Sequence, residues 1–236
     1  MESLFLDIAQ TLTGWLQSLG LSAVWADFIL LIIQFACVAG IVTINVIILI
    51  WLERKVSGFI QLRLGPNRLG PWGAFQTIAD AIKLLTKEDI IPTRTDKWIF
   101  RTAPLFFITV AMMLYLVIPM GDGMQIVDLN IGVFYFISLA SLSTIALLMA
   151  GWSSNNKWSL LGAMRSVAQM ISYEIPMVFS ILGVVLLAGS LKLSDIVTAQ
   201  TDVWNIVLQP IAFVIYVIAA TAEVNRTPFD LVEAES

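Results

Sequence analysis

Glu174 lies in Ser172-Tyr173-Glu174-Ile175-Pro176, inside a stretch, Ser166–Leu191, that is otherwise free of Asp, Glu, Lys and Arg. Counted from Ser166 at about 1.5 Å per residue, it stands roughly 12 Å into that stretch. An ionised carboxylate at such a depth in hydrocarbon is costly unless it is paired or hydrated, so it should face protein or water. Pro176 removes a helix hydrogen bond nearby and opens backbone carbonyls to water or side-chain donors. Two readings compete: a structural carboxylate with a partner, and a carboxylate on an ion or proton path. The second is favoured.

More acids gather at the chain end, where Glu223, Asp230, Glu233 and Glu235 have Arg226 as the sole base among them. Four acids cannot all pair locally with one base. A cluster at a helix end is often only a solvated face, but Pro228 stiffens this run and Phe229 is an apolar side chain within it. A basic group, Glu53-Arg54-Lys55 with Arg63 beyond it, closes the first apolar stretch. Its plain reading is an anchor that also attracts anionic lipid; Arg54 and Arg63 could instead line an entrance for a lipid-soluble substrate with a polar head group.

The elements that position these residues are membrane spans. Hydrophobic residues make up 58% of the 236 residues and charged ones 13%, and the mean hydropathy is +0.88. That is too apolar for an ordinary soluble domain. A net charge of −4 argues against nucleic-acid binding. With no histidine and one cysteine, Cys37, the chain lacks the ligands for haem, iron–sulfur clusters or the common zinc sites, and it can form no internal disulfide. Any redox centre therefore belongs to another subunit. Cys37, in an apolar run, reads as a packing residue.

Five stretches approach the roughly 20 apolar residues a spanning helix needs: 28–52, 102–120, 129–152, 166–191 and 203–222. The expected fold is an all-α polytopic helix bundle. Residues 1–27 mix apolar residues with Glu2, Asp7, Gln10 and Gln17 and read as an external interfacial helix rather than a cleaved signal peptide. Twelve of the thirteen Lys and Arg residues fall in segments on one side, with only Lys192 on the other. The positive-inside rule puts the N-terminus outside and residues 53–101 in the cytoplasm. Within 53–101, Gly65-Pro66-Asn67-Arg68-Leu69-Gly70-Pro71 predicts a rigid loop. From Ala74 the pattern turns amphipathic, with Phe75, Ile78, Ala79, Ile82 and Leu85 opposite Gln76, Asp80, Lys83 and Lys87. This predicts an interfacial helix in the first cytoplasmic loop, with residues 28–236 forming one membrane domain and 223–236 opening an acidic cytoplasmic loop.

These segments resemble the NuoH family, the membrane subunit of NADH:quinone oxidoreductase, or respiratory complex I. The matching runs are Leu52-Glu53-Arg54-Lys55, Gln61 to Pro71, Ala79-Asp80 with Lys83-Leu84 and Lys87-Glu88, Gly151 to Lys157, Gln169 to Glu174, and Ala222 to Ser236. They keep the family order over residues 52 to 236. The resemblance implies a tunnel that admits a quinone head group, with Arg54, Arg63, Phe229 and Asp230 beside it. It also implies a proton path through Asp80, Glu174, Glu223, Glu233 and Glu235. No cofactor is implied for this chain: quinone is the substrate, and FMN and iron–sulfur clusters are held by partner subunits of the complex in the bacterial inner membrane. Membrane lipid is a further partner. Val224 stands where many members carry Thr, and the family's usual eight spans exceed the five read here.

The nearest alternative is the homologous membrane subunit of an energy-converting hydrogenase, a formate hydrogenlyase or a deazaflavin-dependent dehydrogenase. A stand-alone ion transporter would call for an internal repeat, and none is visible. A passive anchor would carry Glu174 at a cost without use.

Overall fold

The computed structural model describes residues 11–18, 20, 22–121 and 125–230. Every regular element among them is helical, and the chain divides into two compact units, one of residues 12–90 and one completed by residues 91 onward. Among the described residues, four helices are long and apolar enough to cross a bilayer, and a fifth apolar helix is shorter.

In the first unit, helix α1 covers residues 11–18 and α2 runs Ala23–Ile60. At 38 residues, α2 is about 57 Å long, nearly twice the hydrocarbon thickness. The expected span 28–52 is therefore only its middle, because Glu53, Arg54 and Lys55 favour helix and do not end it. The helix stops where the chain folds back on its last turns. Arg63 N–H donates to the Gly58 carbonyl at 2.9 Å, and Lys55 Nζ donates to the Pro66 carbonyl at 2.7 Å. A short 3-10 turn, Pro71–Gly73, leads to α3, Gln76–Leu85, the expected amphipathic helix.

Gly73 makes that turn possible. It sits at φ +76°, and a Cβ there would fall 2.2 Å from the Pro66 carbonyl oxygen. Only glycine tolerates both the left-handed backbone and the close approach.

The second unit begins with α4, Lys97–Leu114, which carries Pro104 inside it, followed by α5, Gly132–Ser153, and α6, Lys157–Ala188. The turn between α5 and α6 is tight. Asn156 caps α6 by accepting from Trp158 N–H at 3.0 Å, and Asn155 Nδ2 donates to the Arg94 carbonyl at 2.9 Å. Thus α6 starts nine residues before the expected Ser166, and Lys157 and Arg165, read as connecting-loop residues, lie on the helix. Gly189, at φ +67°, ends it with an N–H bond to the Val185 carbonyl.

Beyond α6, Lys192 Nζ pairs with Asp128 at 2.7 Å, tying the two connections at that end. The pairing holds the ammonium group above the ordinary lysine range. After α7, Leu193–Thr198, the expected span 203–222 is broken. A single turn, α8 (Asn205–Leu208), is followed by Gln209 in a non-helical conformation, and α9 runs only Pro210–Glu223. Pro210 lacks an amide hydrogen and starts a helix more easily than it continues one.

Packing between α4, α5, α6 and α9 relies on small residues. Ala103, Ala146, Ala163, Ser166, Ala219 and Ala222 are buried, as expected where helices in lipid gain by close backbone approach.

Candidate functional site

In the second unit, α6 carries Glu174 one helical turn and more beyond Gln169, and α5 faces it with Ser141. The Ser141 hydroxyl donates to the Glu174 carboxylate. Charge-assisted bonds of this kind are stronger than neutral ones and offset part of the burial cost. Glu223, at the last turn of α9, lies close enough for its charge and that of Glu174 to repel. Two carboxylates on adjacent helices thus share one partly buried region.

The segment after α9 is held against α6. Asn225 adopts φ +51°, a left-handed conformation that asparagine tolerates, and reverses the chain. Gln169 Nε2 then lies 2.9 Å from the Ala222 carbonyl, 3.1 Å from Asn225 Oδ1 and 3.0 Å from the Phe229 carbonyl. One turn along α6, the Tyr173 ring meets Phe229 edge-on with centroids 4.9 Å apart. Asp230 is exposed and accepts from the Thr227 hydroxyl at 3.3 Å. Glu233 and Glu235 lie outside the described residues.

The first unit holds Arg54, Arg63 and Asp80. Arg54 pairs with Asp80, and Gln76 Nε2 donates to the other oxygen of Asp80 at 3.1 Å. Both bonds, the Arg54 one foremost, hold the Asp80 carboxyl below its ordinary range. Arg54, Arg63, Arg68, Asn67 and Gln76 line an open groove of about 750 Å³. Arg63 also donates from Nε to Gln61 at 2.6 Å. Such a groove can receive a polar or anionic head group beside apolar helix surface.

Glu174 and Glu223 are therefore brought together, as are Phe229 and the α6 helix; Arg54 and Arg63 share the groove, with Asp80 paired to Arg54. Asp80 belongs to the unit of Arg54 and is ion-paired, unlike the acids of α6 and α9. Sequence reasoning gave no role to Ser141, Gln169 or Tyr173. Gln169 carried a readable signal, a large amide in an apolar helix five residues before Glu174. Ser141 carried none, because serines in apolar helices usually bond their own backbone, as Ser143 and Ser172 do.

Comparison with known proteins bears on the site. The profile of the family described as NADH dehydrogenase matches residues 33–236. The chain is 52% identical over 235 residues to the H-type subunit of NADH-quinone oxidoreductase from Carboxydothermus hydrogenoformans, covering 100% of this chain and 67% of the relative. It is 57% identical over 212 residues to the corresponding protein of Dehalococcoides mccartyi strain CBDB1, covering 89% and 60%. To that of Brevibacillus brevis it is 53% identical over 205 residues, covering 87% and 60%. The chain thus spans roughly three fifths to two thirds of the length of these relatives.

Proposed function

The chain belongs to the NADH dehydrogenase family, and from that premise we propose that it is a membrane subunit of a proton-translocating NADH:quinone oxidoreductase. In this reading it contributes to quinone access and to the proton path that couples quinone reduction to pumping. The observation that carries the reading is Glu174 on a membrane-spanning helix, bonded by Ser141 and within charge range of Glu223.

Arg54 and Arg63, with Phe229 and Asp230, serve the quinone route. Guanidinium groups at the end of a span suit a head group that becomes electron-rich on reduction. Glu174 and Glu223, with Asp80, Glu233 and Glu235, serve the proton route. A charge change near the loop alters the cost of ionising Glu223, which also feels the charge of Glu174. Asp80, locked to Arg54, acts by releasing or retaining that arginine. In this reading the electron carriers, FMN and iron–sulfur clusters, belong to partner subunits; this sequence, with no histidine and a single cysteine, lacks the ligand set for an iron–sulfur cluster. In this reading the N-terminus lies outside the cytoplasm and residues 53–101 within it, which the distribution of basic residues supports.

The test is Glu174→Gln in the full-length, membrane-assembled complex. Glutamine keeps the shape and a bond to Ser141 but cannot lose a proton. Both NADH-dependent quinone reduction and proton pumping should fall, and unchanged pumping would remove Glu174 from the path.

A further inference from the structure

We infer that Gln169 is a positioning residue that sets where Glu223, at the end of α9, and Asp230, beyond it, stand relative to Glu174. The inference rests on the proposed function for its consequence, but on geometry for its substance. Three oxygens surround Gln169 Nε2 at 2.9, 3.1 and 3.0 Å. Two of them are backbone carbonyls, and each belongs to the residue directly before an acid: Ala222 before Glu223, and Phe229 before Asp230. The third, Asn225 Oδ1, belongs to the residue that turns the chain between them. One amide therefore fixes both ends and the bend of the segment that carries these carboxylates.

The anchor is on the same helix as Glu174, and Tyr173 adds a ring contact to Phe229 from the next turn. A shift of the segment must break or exchange bonds to Gln169. An NH₂ group has two hydrogens, so three acceptors share two donors. The segment can therefore exchange one acceptor for another while remaining attached, and movement without detachment is what this arrangement allows. The ionisable side chains carried here are Arg165, Tyr173 and Glu174 on α6, Glu223 on α9, and Arg226 and Asp230 in the segment itself.

The experiment uses the full-length protein in its assembled membrane complex. Gln169→Met keeps length and removes both donors; Gln169→Glu keeps shape and can donate one hydrogen only when protonated. Backbone hydrogen exchange over residues 222–230 is read by mass spectrometry beside the pH profile of quinone reductase activity. In Gln169→Met, exchange there should rise about tenfold, the effect of losing shared hydrogen bonds, with α4 and α5 unaltered, and turnover should fall at every pH. Gln169→Glu should recover toward wild type as the pH is lowered, which a packing role alone would not produce.

Unchanged exchange in Gln169→Met, or turnover equal to wild type with the same pH profile, overturns the inference. If Gln169→Met does not accumulate, Gln169→Glu decides alone: acid recovery supports it, and a wild-type or pH-independent profile overturns it. Faster exchange together with unimpaired pumping in Glu174→Gln would leave Gln169 as the anchor and defeat the proton-path reading.

Discussion

Replacing Gly151 by alanine should weaken the α5–α6 pair and, with it, the setting of Glu174. A Cβ at Gly151 would fall 2.2 Å from the Ala163 Cβ and 3.3 Å from the Ser159 carbonyl oxygen. Ordinary carbon contacts lie near 3.5–4.0 Å, so the helices must part by about 1.5 Å or α6 must rotate. Overpacking of this kind costs about 1–3 kcal/mol. Alanine returns about 1 kcal/mol of helix propensity over glycine, so a net loss of up to about 2 kcal/mol is expected. Ser141 lies ten residues back along α5, about 15 Å away, and a splay starting at the turn lengthens its bond to Glu174 further up. Thermal dissociation of the solubilised complex, followed on native gels with proton pumping measured in vesicles, reads both effects. Gly162→Ala is the control: it lies on α6 with nothing within 4 Å of a new Cβ, so it should be neutral or slightly stabilising. Equal melting and pumping in Gly151→Ala and Gly162→Ala would refute the reasoning.

Gly73→Ala combines a left-handed backbone with a 2.2 Å approach to the Pro66 carbonyl oxygen and should cost about 2–5 kcal/mol locally. Faster proteolysis within residues 62–75 is the expected readout, and wild-type resistance would contradict the packing described. The Arg54–Asp80 pair should be pH-sensitive on the acid side only. Because the carboxyl is held below its ordinary range, its contribution is complete above the unfolded value and disappears as pH falls through the lowered folded one. Asp80→Asn should abolish that acid-side sensitivity of the same proteolysis, with neutral and alkaline behaviour unaffected by pH in either protein.

The membrane character, the approximate spans and the amphipathic helix at 76–85 were legible because they depend on composition and periodicity. Helix ends were less so. The charged residues after Leu52 and before Ser166 mark a change of solvent, yet they are good helix formers, so α2 and α6 continue through them. The break before Pro210 was hidden by an apolar run that looks continuous, although proline disfavours helical geometry in the residue preceding it, here Gln209. Glu174 stood out by its cost. Its neighbours did not, since the pairing of Ser141 with Glu174 and the reach of Gln169 to Phe229 join residues distant in sequence, and no local pattern encodes them.

At 14 residues, α9 is about 21 Å long, well short of the hydrocarbon thickness. Glutamine amides secure it at both extremities, Gln169 at Ala222 and Gln209 at the Gly183 carbonyl, 3.1 Å away on α6. A segment this short gains little from lipid by itself and much from its neighbour. Its hold in the bilayer therefore depends on α6, to which both amides tie it.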